Sequence, residues 1–276
     1  MRLVAVLQAS IINVGEASEK RSADNMVLFP IADKEGLSSK PMSAWSAVEE
    51  RQRQGAAAYW LVTQPAHAAL AGDLAASLRD DLFGPIDDTV GRSIALHDAG
   101  WSMDDAEQIQ RLRANKNQKP SGFLDASVDQ FLHAWTASIE TAGKFAPIGG
   151  YLVSRHFERI SNRASGRDQR KVEAFRKREK DRQQKVRKNI NLEQPALEKL
   201  VDTLQFCDVL SLYLCCGSLG MVTIDIPKLK ITRRGDEYQL EPSPFRDHRQ
   251  FSFAALRHPV LGGKKGQSGA TFYINL

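Results

Sequence analysis

The stretch PALEKLVDTLQFCDVLSLYLCC, residues 195–216, sets the tightest limit on what this chain can fold into. It is nearly continuously apolar from Leu204 to Cys216, interrupted by Gln205, Asp208 and Ser211. A helix with so few polar positions belongs to a core. Leu197, Val201, Leu204 and Asp208 recur at helical spacing, so Asp208 shares the buried stripe. An ionised carboxylate in that place needs a cation or several donors.

Three other helical patterns each set a polar side chain on an apolar face. The first starts near VTQPAHAALAGDLAASL, where Thr63 can cap and Pro65 fits the first turn. Its apolar positions Leu70, Ala71, Leu74, Ala75 and Leu78 put His67 on the buried face. The second covers TVGRSIALHDAGW. Helical neighbours diverge by about 100°, so His97 and Asp98 flank one edge and reach the groove beside it. Gly100 then loosens or ends this helix. The third contains PIGGYLVSRHFERI, with His156 four residues after Leu152. A lone histidine or aspartate on an apolar face is ordinarily a satisfied core residue. The order His, His-Asp, Asp over separate helices is what favours a shared function.

Three regions divide the 276 residues. Residues 1–56 are a mixed N-terminal extension, with short strands at RLVAVL and MVLFPI and a helix at SAWSAVEERQRQ. Residues 57–216 form a helical core. Residues 217–276 turn β-rich through MVTIDIP, LKITRR, EYQLEP, FSFAAL and ATFYINL, with a hairpin turn at RRGDE. The expected fold is mainly α: a helical bundle with short β segments at the N-terminus and a small antiparallel β region packed on the core at the C-terminus.

Composition narrows the function. The chain is 42% hydrophobic and 26% charged, as soluble proteins are. No apolar run approaches the ~20 residues that span a bilayer. The N-terminal LVAVL is too short for a signal peptide, and Cys207, Cys215 and Cys216 read as reduced core thiols, so a cytoplasmic location is expected. Much of the net charge of +5 comes from RDQRKVEAFRKREKDRQQKVRK, residues 167–188. Acidic residues are interleaved there, including Glu179, which favours a solvated helix over a nucleic-acid contact. The glycine-rich LGGKKGQSG, residues 261–269, lacks phosphate-loop spacing and reads as a flexible loop. His133, His248 and His258 read as surface or packing residues.

The adjacent His-Asp doublet within that order resembles the HD superfamily of metal-dependent phosphohydrolases. The phrases TQPAHAALAG, ALHDAGW, LVSRHF and LQFCDVLSLYLCCG look closer still to an uncharacterised bacterial HD-like family. The resemblance covers roughly residues 57–220. It implies a helical bundle holding a divalent ion on His67, His97, Asp98 and Asp208. Imidazole with carboxylate suits Mn, Fe, Ni, Co or Zn better than Mg or Ca. His156 would help hold a second ion, meet a substrate phosphate, or act as a general acid. Asp98 or Asp208 would orient a water, and Arg155 would neutralise a phosphate unless it serves only the surface. The implied function is hydrolysis of a phosphoester or nucleotide, with a small phosphorylated molecule as partner. The alternatives are a non-catalytic ligand- or partner-binding module and an HD-fold metal oxygenase. One departure stands out. Ala99, Gly100 and Trp101 follow the doublet where HD phosphohydrolases often carry a basic residue.

Overall fold

A computed structural model describes residues 28–32, 36–37, 42–53, 58–115, 118–161, 168–216, 218–219, 221–225, 227–234, 237–259 and 268–276. RLVAVL, the tip of the RRGDE turn and most of LGGKKGQSG lie outside these residues. The helices are α1 (Ala44–Arg53), α2 (Gln64–Ala75), α3 (Asp80–Phe83), α4 (Asp88–Ala95), α5 (Ser102–Ala114), α6 (Val128–Phe145), α7 (Pro147–Ile160), α8 (Gln169–Arg187) and α9 (Gln194–Cys216). The strands are β1 (Leu28–Ala32), β2 (Gly36–Leu37), β3 (Met42–Ser43), β4 (Ala58–Thr63), β5 (Ser218–Leu219), β6 (Met221–Asp225), β7 (Lys228–Arg234), β8 (Glu237–Glu241), β9 (Gln250–Pro259) and β10 (Ser268–Asn275).

The apolar stretch is the axis of the helical layer. Every residue of α9 from Thr203 to Cys216 is buried, and the helix packs on α1, α2 and α7. Thr63 caps α2 as expected, its Oγ1 accepting the Ala66 N–H at 3.2 Å with Pro65 in the first turn. Helix α6 opens with a reciprocal pair in which Ser127 and Gln130 each accept the other's backbone N–H. No helix among the described residues is long and apolar enough to cross a membrane.

The sheet overturns the expected mainly α class. Eight strands form one sheet in the order β1-β4-β9-β10-β8-β7-β6-β3, and β2 pairs with β5 separately. The sheet is mixed: β3 runs parallel to β6, and β10 meets β8 in parallel, while the other neighbours are antiparallel. Strands from both ends of the chain therefore build one layer, and there is no small C-terminal β region. The element that hides this is β4. Its sequence AYWLVT is buried at Ala58, Tyr59, Leu61 and Val62, with no inside-outside alternation. A short apolar run of that kind cannot be told from a buried helix segment by periodicity. Its partner β9 lies far along the chain, with Leu61 opposite Leu256.

Two local expectations are also corrected. His97 and Asp98 are not on a helix. Helix α4 stops at Ala95, and the doublet occupies the turn before a 3-10 segment, Ala99–Trp101. The His97 N–H is taken by the Ile94 carbonyl at 3.1 Å, a tightened last turn. Gly100 has a reason beyond loosening that turn. A Cβ there would lie 2.0 Å from the Ala134 carbonyl oxygen, and its N–H donates to Ser138 Oγ at 2.9 Å. Bare backbone is what lets the turn sit on α6. The basic helix α8 is not a fully solvated rod either. It buries Val172, Phe175, Glu179 and Gln183 against α7.

Candidate metal centre

Helices α2, α7 and α9 and the turn after α4 converge on one buried point. His67 and His97 are 0% and 1% exposed, His156 1%, Asp98 8% and Asp208 6%. The three imidazoles follow one another edge to face, with ring centroids 5.2 Å apart for His67–His97 and 5.7 Å for His97–His156.

The outer hydrogen bonds fix where the protons are. Ser211 Oγ donates to the Asp208 carbonyl oxygen at 2.9 Å. A hydroxyl has one hydrogen, so toward His67 Nδ1, 3.1 Å away, it accepts. His67 Nε2 lies 2.9 Å from Asp98 Oδ2, a contact that calls for a proton or a cation between the two atoms. His97 Nδ1 lies 2.8 Å from the Ile94 carbonyl oxygen, which can only accept. His97 Nε2 is then the ring nitrogen turned inward. It faces Asp208 Oδ1 at 3.4 Å and Asp98 Oδ2 at 3.7 Å and has no hydrogen-bond partner.

Two ring nitrogens pointed at two carboxylates call for positive charge between them. A proton can supply it. Burial alone would lower the His97 pKa, but the carboxylates of Asp98 and Asp208 prevail and raise it to about 9. Burial pushes Asp208 up, and the imidazoles, His97 foremost, overcome it and hold the carboxyl down at about 2. A divalent ion supplies the same charge. Both histidines have the outward Nδ1–H bond that orients metal-binding imidazoles. One ligand atom from each of His67, His97 and Asp98 lies within 4.8 Å of the others. The separations near His97 resemble the edge of a tetrahedral shell built on bonds of ~2.1 Å, about 3.4 Å. The residues fit a metal ion.

His156 sits at the edge of the group. Its Nε2 is 3.6 Å from Asp208 Oδ2, and its Nδ1 has no partner. Burial is the main reason its pKa falls to about 4, against the pull of Asp208. Arg155 does not join the group. Its guanidinium is taken by Glu198, with Nε 3.1 Å from Oε1, and by Glu158. Beside Asp98, His156 and Asp208 lies a cavity of about 40 Å³. Trp45, Trp101, Phe123, Phe131, Trp135 and Phe157 supply aromatic walls, and Gln64 lines it too. No Lys or Arg is among the described lining residues.

Three contributors escaped the reading of the sequence. Ser211 orients His67, and its signal was its place three residues after Asp208 on the same helix. Asp105 holds the start of α2, with Oδ2 accepting the Gln64 N–H at 2.7 Å. Burial raises its pKa well above the usual carboxylate range. Trp45, on α1, reaches the cavity from a segment the helical pattern left aside.

One family profile matches most of the chain. It is a family of proteins of unknown function, DUF3891, and the match runs over residues 52–256. The chain belongs to this family. No curated protein and no solved structure matches it.

Proposed function

We propose that this member of the DUF3891 family is a metal-dependent hydrolase of HD type, acting on a small molecule. The observation that carries the reading is the pair of buried Nε2 atoms, on His67 and His97, set against Asp98 and Asp208. His67, His97, Asp98 and Asp208 would hold one ion of Mn, Fe, Ni, Co or Zn. When bound, such an ion supplies a water of lowered pKa and a Lewis acid for the substrate oxygen.

The chain's own residues do the rest. Ser211 and the Ile94 carbonyl hold the two imidazoles in one orientation. Asp98 and Asp208 line the cavity, so a carboxylate oxygen of either can accept a proton from a water placed there. His156 lines the same cavity with Nδ1 uncommitted, so it can hydrogen-bond the incoming substrate. The aromatic rings exclude bulk water and strengthen each of these interactions. For the phosphoester implied by the HD resemblance the partner cation would be the ion itself, since Arg155 is engaged by Glu198 and Glu158.

Elemental analysis of protein reloaded with each candidate metal tests the centre. Release of nitrophenol from p-nitrophenyl acetate and p-nitrophenyl phosphate tests the hydrolysis. Stoichiometric metal, with turnover of either compound that a chelator abolishes, is expected. Metal-loaded protein that turns over neither would leave a binding module, not a hydrolase.

A further inference from the structure

Helix α8 carries the net charge of the whole chain. Residues 168–188 hold ten Lys and Arg against four Asp and Glu, while the chain's net charge is +5. Along the sequence the acidic residues are interleaved with the basic ones, and the fold sorts them. Glu179 turns inward with Val172, Phe175 and Gln183, against α7, and has no exposed surface. The outward side has a groove of about 580 Å³ lined by Lys177, Arg178, Arg182 and Lys185. Asp181 is the one acid among its described lining residues.

The four cations are not equally free. Arg178 Nε is 3.2 Å from Glu179 Oε1, its Nη2 donates to Thr136 Oγ1 at 2.9 Å, and its guanidinium lies 5.3 Å from the centre of the Phe175 ring. Arg182 pairs with Glu179 at 3.0 Å and stands 3.9 Å from Glu140. These contacts hold both arginines in place and answer part of their charge. Lys177 and Lys185 are exposed and have no ion pair or hydrogen bond among the described residues. Eight residues apart on a helix, they are about 12 Å apart along its axis.

The chemistry of the lining selects its occupant. One strand of a duplex carries a phosphate every ~3.4 Å, so three or four phosphates pass over such a length. No aromatic ring is among the described lining residues, which leaves nothing for unpaired bases to stack on. No Ser, Thr, Asn or Gln is there to meet a ribose 2′-hydroxyl. A helix that lies on a membrane inserts its apolar face, and α8 has buried Val172 and Phe175 against α7. A protein partner is anchored by large apolar side chains, and the apolar lining here is Ala174 and Val186. We infer that α8 is a docking surface for the phosphate backbone of double-stranded DNA, contacted by Lys177 and Lys185 with Arg178 and Arg182 between them. Asp181 lies among these cations and opposes the same phosphates. The surface does not depend on hydrolysis at the metal centre.

Fluorescence anisotropy of a labelled 20-base-pair DNA of arbitrary sequence, titrated with the full chain at several salt concentrations, tests the surface. Affinity should fall with salt at a log–log slope between about −1.8 and −3.6, for two to four phosphate contacts. Lys177→Gln with Lys185→Gln should reduce that slope by about two and weaken binding roughly tenfold. Asp181→Asn should tighten binding roughly threefold. Lys228→Gln with Lys230→Gln removes the same charge from exposed positions of β7 and should bind as the wild type does. Circular dichroism and metal content should be unchanged in every variant. The inference is overturned if binding is absent or insensitive to salt, if the β7 pair weakens it as much as the α8 pair, or if Asp181→Asn weakens it. It is also overturned if single-stranded DNA, duplex RNA, or vesicles of phosphatidylcholine with phosphatidylserine bind at lower protein concentration than the DNA duplex.

Discussion

Helix α7 has two charged neighbourhoods, and they are finished to different degrees. Toward α2 and α9 it offers His156 to the His-Asp group. Toward α8 and the start of α9 it offers Ser154, Arg155, Glu158 and Arg159. On that second side the carboxylates meet cations, although Arg182 Nε makes an ion pair without a well-formed hydrogen bond. Glu179, with no exposed surface, accepts from Ser154 Oγ at 3.0 Å and pairs with Arg182 Nε at 3.0 Å and Arg178 Nε at 3.2 Å. Glu198 takes both Arg155 and Arg159. On the first side, His97 Nε2 and His156 Nδ1 are left over. A closed network holds helices together. An open one, equally buried, is kept for something that arrives.

The contrast can be broken at several points. Asp208→Asn should have the largest effect. It removes the carboxylate that answers His97, and metal content should drop from about one ion per chain toward none while far-UV circular dichroism persists. Full metal retention would mean that Asp208 is only structural. Gly100→Ala comes next. With a Cβ 2.0 Å from the Ala134 carbonyl oxygen, the turn must lift off α6, and denaturant melts should lose about 3 kcal/mol. Metal affinity should fall with it, since the same turn carries His97 and Asp98.

Glu179→Ala sharpens the other side. It should cost about 2 kcal/mol in the same melts and leave metal content untouched. Metal loss in that variant would show the two neighbourhoods to be one. Ser211→Ala removes the acceptor of His67 Nδ1–H, and zinc competition should read a loss of roughly tenfold in affinity with little change in stability. Arg155→Ala should do least. It leaves the buried Glu158 with Lys180, 3.9 Å away, and Glu198 with Arg159, so about 1 kcal/mol and no change in metal content or hydrolysis are expected. A large drop in turnover would return Arg155 to the substrate.

The five polar residues of the centre were legible because each broke an apolar stripe. Burial of His67, His156 and Asp208 follows from helical spacing alone. The doublet was legible as a pair but not in its backbone. The Ile94 carbonyl ends α4 through side chain and main chain of His97 together, which no periodicity reveals. Ser211 was visible only as an interruption, because its role depends on the residue 144 positions earlier. The sheet was the larger loss. Strands β6 to β10 carry β-branched and aromatic residues, so each was readable singly. That β4 and β1 extend the same layer is written in register and distance, not in local composition. Trp45 and Gln64 were invisible for a related reason. Membership of a cavity wall is a property of what surrounds a residue, and spacing along the chain does not record it.

The antiparallel pairing of β4 with β9 bears on the order of assembly. Strand β4 runs directly into the cap of α2, which carries His67, and its own neighbour β9 is made long after it. At ~5–20 residues per second, a ribosome exposes β9 tens of seconds after β4. For that interval β4 lacks one of its two neighbours, and Asp208 emerges only late in it. Any capture of an ion by the whole group would then have to wait for α9, which brings Asp208.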